Sequence, residues 1–144
     1  MTSTATNWFV WALLSAVFAA LTAIFAKIGL EGIDSDLATL VRTVVILVVL
    51  AAFVVLAGKW VNPLELPPKS WLFLVLSGLA TGASWVCYFR ALKVGDASKV
   101  APVDKLSVVL VALFAVALLG ERPAPREWLG IALVGIGVVV LALK

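Results

Sequence analysis

A chain of 144 residues that is 64% hydrophobic and 13% charged, with mean hydropathy +1.18, lies far above the roughly 45–50% apolar usage of soluble domains, and its long apolar stretches leave no polar exterior for water. The net charge of +3 rests on eleven Lys and Arg against eight acids, but these cations are scattered between apolar blocks and never form a run, which fits membrane topology and excludes a nucleic-acid surface. One cysteine, Cys87, and no histidine exclude an internal disulfide, a metal cluster and a Ser-His pair, and no GxxxxGK[ST] loop is present, so no cofactor, enzymatic chemistry or ATP-driven step is expected of this chain.

A helix rises about 1.5 Å per residue and the hydrocarbon core is about 30 Å thick, so a span needs about twenty apolar residues. Five blocks come near that length, predicting an all-α, polytopic membrane protein. The first runs from Trp8 to Ile28. The preceding Met1 to Asn7 carries no Lys or Arg, and no small-residue cleavage site follows, so the block reads as a retained helix and not a cleaved signal. Glu31-Gly32-Ile33-Asp34-Ser35-Asp36 forms a turn, with Ser35 or Asp36 opening the second helix, which extends to Ala57. Gly58, Asn62, Pro63, Pro67 and Pro68 mark a loop, and Ser70 is the expected N-cap of a third helix, Trp71 to Leu92.

The fourth helix has two possible starts. At Pro102, Asp104 and Lys105 fall in the first turn, where the acid complements the helix dipole. At Ser98, the same pair lies about 9–10 Å deeper and Pro102 interrupts the ladder, as in the broken helices of transporters. Either way the helix ends at Leu119. Gly120 to Arg126, with Pro123 and Pro125, leads to a glycine-containing fifth helix from Glu127 to Leu143. The single domain spans residues 1–144. Five of six tryptophans (Trp8, Trp11, Trp60, Trp71, Trp128) fall at block ends, where amphipathic rings favour the headgroup region. Gly78 and Gly82 form a GxxxG suited to close helix packing, and Gly130, Gly135 and Gly137 lighten the last helix for the same use.

With five spans, one side carries Lys59, Lys69, Arg122 and Arg126, and the other carries Lys27, Arg42, Arg90, Lys93, Lys99, Lys105 and Lys144. Lys27, Arg42, Arg90 and Lys105 lie in or at the edges of blocks; discounting them removes most of the bias. Balanced loops suit a chain that inserts both ways, whose opposed copies form an antiparallel homodimer. The alternative is a single orientation set weakly by Arg90, Lys93 and Lys99.

Ionisable groups inside spans are costly and usually tied to partners or aqueous pathways. Lys27 shares a face with Ala16, Ala20 and Ala23, so it either points into a packed seam or snorkels to the interface. Arg42, about two turns into its span, is too deep for easy snorkelling. Ser77, Thr81, Ser84 and Tyr88 form a polar stripe on one face of the third helix, with Trp85 beside it as a candidate cavity wall. Arg90 and Ser107 complete the candidate substrate-binding set of Lys27, Arg42, Thr81, Ser84, Trp85, Tyr88, Arg90, Asp104, Lys105 and Ser107. Glu121 and Arg122, after Gly120, are expected to form a structural ion pair.

The stretches Ala-Leu-Thr-Ala-Ile-Phe-Ala-Lys-Ile-Gly (20–29), Ser-Trp-Val-Cys-Tyr-Phe-Arg-Ala-Leu-Lys-Val-Gly-Asp-Ala-Ser-Lys-Val-Ala-Pro-Val-Asp-Lys-Leu-Ser (84–107), and Leu-Leu-Gly-Glu-Arg (118–122) with Trp-Leu-Gly (128–130) resemble an EamA-type repeat of the drug/metabolite transporter superfamily. The resemblance covers nearly the whole chain. It implies transport in a bacterial or archaeal cytoplasmic membrane. Larger relatives carry two inverted repeats, so one repeat implies a small member that dimerises. It marks Lys27, Arg42, Tyr88, Arg90, Asp104, Lys105 and Glu121 as family-pattern positions. Small multidrug-resistance proteins carry a membrane-embedded glutamate in their first helix, and Trp8 to Ile28 has no acid. The expected function is secondary transport of a small polar or zwitterionic metabolite by alternating access. Alternatives are a membrane assembly subunit or an exporter of cationic compounds.

Overall fold

The computed structural model describes residues 3–143, so Lys144 of the charge count lies outside the described residues. Its elements are α1 (Ser3–Gly29), α2 (Ser35–Leu56), a 3₁₀ turn (Pro63–Glu65), α3 (Pro68–Val94), α4 (Ala97–Asp104), α5 (Ser107–Phe114) continued by a π-helical turn (Ala115–Leu119), and α6 (Pro125–Ala142). No strand occurs among the described residues. Five helical stretches are long and apolar enough to cross a bilayer: Trp8–Gly29, Ser35–Leu56, Pro68–Val94, Ala97–Leu119 and Pro125–Ala142. The all-α, five-span expectation is therefore met.

Helices satisfy the backbone inside a bilayer because every interior N–H and C=O pairs within its own segment. The apolar side chains of these helices face away from the chain's own interior. Leu47 is 67% exposed and Phe53 61%. In water, each such side chain would forgo about 1.5–3 kcal/mol of burial free energy. Lipid removes that penalty.

The helix ends correct several expected boundaries. α2 opens at Ser35, one of the two expected starts, and Asp34 caps it, its carboxylate accepting from the backbone N–H of Asp36 and Leu37. The extended backbone at Asp34 leaves the side chain free to turn back on the first turn. Ser70 caps nothing, because α3 begins at Pro68, whose ring suits a first helical turn. Trp71 is anchored instead by its indole Nε1, which donates to the Pro63 carbonyl at 2.8 Å. At the far end of α2, Gly58 takes φ 65°. The N–H of Gly58 donates to Val55 O and that of Lys59 to Val54 O, both at 3.0 Å. This left-handed turn satisfies the last carbonyls and requires a residue without Cβ.

The fourth span takes the earlier of its two expected starts. α4 begins at Ala97 with Asp96 as cap residue, so Pro102 lies inside the helix and the ladder breaks at Lys105. There the bonds tighten to three-residue spacing: Lys105 to Pro102, Leu106 to Val103, Val108 to Lys105 and Val109 to Leu106. Farther along, Ala115–Leu119 widens into a π turn ending at Gly120, φ 69°. One span is thus overwound and then underwound.

The chain divides into two compact units, one comprising residues up to Ile24 together with those from Gly95 onward, the other Phe25–Val94. In the first, α6 packs against α4 and α5, and a Cβ added to Gly135 would meet Val109 Cγ2 at 3.3 Å. In the second, α2 packs against α3, burying Ser35 and Thr39 with Phe89 and Leu92. Among the glycines expected to mediate close packing, Gly135 does so, whereas Gly78, Gly82, Gly130 and Gly137 meet nothing within 4 Å.

Candidate functional site

Within Phe25–Val94, α2 and α3 bring one set of candidate residues together. Arg42 lies seven residues after Ser35, about 10 Å into the span. Its guanidinium carbon sits 4.3 Å from the centre of the Trp85 ring and 5.3 Å from that of Phe89. Trp85 and Phe89 are four residues apart, so both rings present to the same neighbour. Phe89 is buried, whereas Arg42 and Trp85 are partly covered. Tyr88 extends the aromatic cluster, packing edge to face on Phe89 with centroids 6.4 Å apart. Cation–π attraction is strongest where water is excluded.

Nearer the membrane edge, the same two helices are joined by charge. Arg90 Nε donates to Asp36 Oδ1 at 2.9 Å and its Nη2 to Oδ2 at 2.6 Å. This parallel fork is the geometry that distinguishes Arg from Lys. Lys27 Nζ donates to the Leu92 carbonyl at 2.6 Å. Leu92 is two residues from the end of α3, where carbonyls lose their helical partners, so the ammonium both satisfies an acceptor and complements the negative dipole end. Lys27 thus reaches the end of α3, a partner that neither of its two expected states named. Lys93 adds a third link, donating from Nζ to the Ile33 carbonyl.

The polar stripe of α3 is covered only at Tyr88. Ser77, Thr81 and Ser84 are all exposed. The Thr81 hydroxyl donates to the Ser77 carbonyl at 2.8 Å, a local bond that satisfies the donor inside its own helix and leaves the oxygen able to accept. Thr39 and Thr43 on α2 do the same toward Ser35 and Thr39.

In the other unit, Asp104 and Lys105 straddle the helix break, with Nζ 3.4 Å from Oδ2. Ser107 opens α5 and is exposed. The expected Glu121–Arg122 ion pair does not form among the described residues. Gly120 turns the chain there, and Glu121 is held by its backbone N–H on the Ala115 carbonyl. No group of His, Cys, Asp or Glu suited to a metal occurs among the described residues.

Two members of these clusters escaped sequence reasoning. Phe89 was not singled out, although its position four residues after Trp85 placed it on the same face. Asp36 was read as a possible first residue of α2, although an arginine near a span end calls for a counter-ion.

A family model described as the EamA-like transporter family matches residues 6–143. The chain is also similar to a Sinorhizobium protein named "Uncharacterized transporter in cobO 3'region". Identity is 61% over 137 residues, covering 95% of this chain and 97% of that protein. No solved structure matches. A family match across nearly all of five membrane-length helices shows that this chain belongs to the EamA-like transporter family.

Proposed function

We propose that this chain is a secondary transporter of a small polar metabolite, zwitterions included, working as an antiparallel homodimer in the cell membrane by alternating access. The observation that carries this reading is the uncovered polar face of α3: Ser77, Thr81 and Ser84 are exposed, and Gly78 and Gly82 beside them meet no neighbour. Lipid is a poor solvent for such a face, and an inverted second copy would enclose it as the wall of a central pathway. The Sinorhizobium relative's name supports transport as the activity. The described part of α1 contains no acid, which argues against proton-coupled export of cations through a first-helix carboxylate. Any driving force comes from a solute or ion gradient.

Three measurements, on cells and on protein purified into liposomes, test this. Crosslinking should give chiefly a self-dimer, and a terminal tag should be found on both faces of the cell membrane. Solute counterflow should fall when Arg42 and Lys105 are neutralised together. A tag on only one face contradicts the antiparallel pairing, and unchanged counterflow contradicts the site.

A further inference from the structure

Apart from Lys69 and Arg126, in the first turns of α3 and α6 at the ends of their spans, the cations lying within the spans are engaged by the chain itself with one exception. Lys27 is taken by the Leu92 carbonyl, Arg90 by Asp36, Lys93 by the Ile33 carbonyl and Lys105 by Asp104. Lys99, at the start of α4, lies 3.7 Å from Asp96. Arg42 differs. Its neighbours are the Trp85 and Phe89 rings and Tyr88, and among the described residues no carboxylate or carbonyl accepts from it. Stacking occupies the flat face of a guanidinium, while its five N–H donors radiate from the edge. The rings therefore hold the cation in place while offering its N–H donors no oxygen acceptor. Such donors, about 10 Å into a span, are costly to leave without an acceptor.

A second copy of this chain is a poor source of that acceptor. Asp34 caps α2, Asp36 and Asp104 are paired, Asp96 lies near Lys99, Glu65 accepts from Asn62, and Glu127 accepts from the Ala124 N–H. Glu31 and Glu121 remain, and both lie outside the spans. A dimer thus brings no spare carboxylate to the depth of Arg42.

We infer that Arg42 is the anchor for the carboxylate of a small monoanion whose apolar body lies along Trp85. One guanidinium fork matches one carboxylate in charge and geometry. A phosphate dianion would need a second free cation, and a cationic solute would need a free acid. This inference narrows the substrate of the proposed transporter and rests on that reading only for what happens after binding.

The test is thermal stabilisation of the full chain in nanodiscs, titrated with acetate, hexanoate and phenylacetate, and with phenylacetamide, phenethylamine and inorganic phosphate as comparisons. Hexanoate and phenylacetate should raise the melting temperature with a saturable dose dependence, acetate less, and the other three should not. Arg42→Gln should weaken phenylacetate by about 10- to 100-fold. Arg42→Lys, which keeps the charge and loses the fork, should weaken it by about tenfold and serves if the glutamine variant does not fold. Arg126→Gln, in the first turn of α6, should change nothing. Stabilisation by the amide, amine or phosphate equal to that by phenylacetate would overturn the inference. So would the absence of any carboxylate effect, or wild-type affinity in both Arg42 variants. Carboxylate binding without counterflow would instead sink the transport reading and leave the site standing. Counterflow of an uncharged or cationic solute, indifferent to Arg42, would do the reverse.

Discussion

Arg90 holds Asp36 through two parallel hydrogen bonds, at 2.9 and 2.6 Å, across 54 residues of sequence. The pair closes the α2–α3 hairpin at the end where Lys27 and Lys93 make their own links to Leu92 and Ile33. That end is tied by side chains, whereas the α2–α3 loop at the opposite end is held mainly by Trp71 on Pro63. Asp36→Asn and Arg90→Gln should each lower the melting temperature. The exchanged pair, Asp36→Arg with Arg90→Asp, should recover more than half of the loss, measured by thermal unfolding in detergent. Additive losses in the exchanged protein would show that the two residues act separately.

Lys27 satisfies a carbonyl at a helix end, and its aliphatic stem contributes packing as well. Lys27→Met keeps the stem and removes the donor, and should cost about 1–3 kcal/mol of stability. Lys27→Arg should retain most of it. Denaturant unfolding of the two variants decides between a structural tie and a group with no stabilising role, for which Lys27→Met would match wild type.

Pro102 sits inside α4 three residues before the break at Lys105. A proline in a helix interior costs about 3 kcal/mol. Pro102→Ala should therefore stabilise the fold by about 1–3 kcal/mol, while slowing transport if the break between α4 and α5 works as a hinge. Paired measurements of unfolding and counterflow would show gain in one and loss in the other. A variant improved in both would remove any functional meaning from the break.

Gly78 and Gly82 have open space where a Cβ would go. Isoleucine at either position should leave the monomer fold intact, by circular dichroism, and weaken self-association at least about tenfold through lost close contact. Undiminished energy transfer between labelled copies in liposomes would place the dimer contact elsewhere.

The five spans were legible because a bilayer imposes a length, and Trp8, Trp60, Trp71 and Trp128 mark where that length ends. Cap identities were less so. Asp34, Ser35 and Asp36 are all competent caps in composition, and only the backbone angles decide among them. The early start of α4 was one of two open readings, because proline is compatible with a first turn and, at a cost, with an interior one. Arg42, Trp85 and Tyr88 could be singled out from depth and helical spacing. Their assembly with Phe89, and the matching of Arg90 to Asp36, depend on how α2 lies against α3, which no periodicity within either helix specifies.

The most direct test of the account is exchange in proteoliposomes loaded with a defined mixture of small carboxylates, amines and neutral solutes, followed by mass spectrometry without ATP. One or a few monocarboxylates should exchange faster with wild-type protein than with protein-free vesicles, and Arg42→Gln should abolish the difference. Exchange confined to amines or neutral solutes, or carboxylate exchange unchanged by Arg42→Gln, would contradict it.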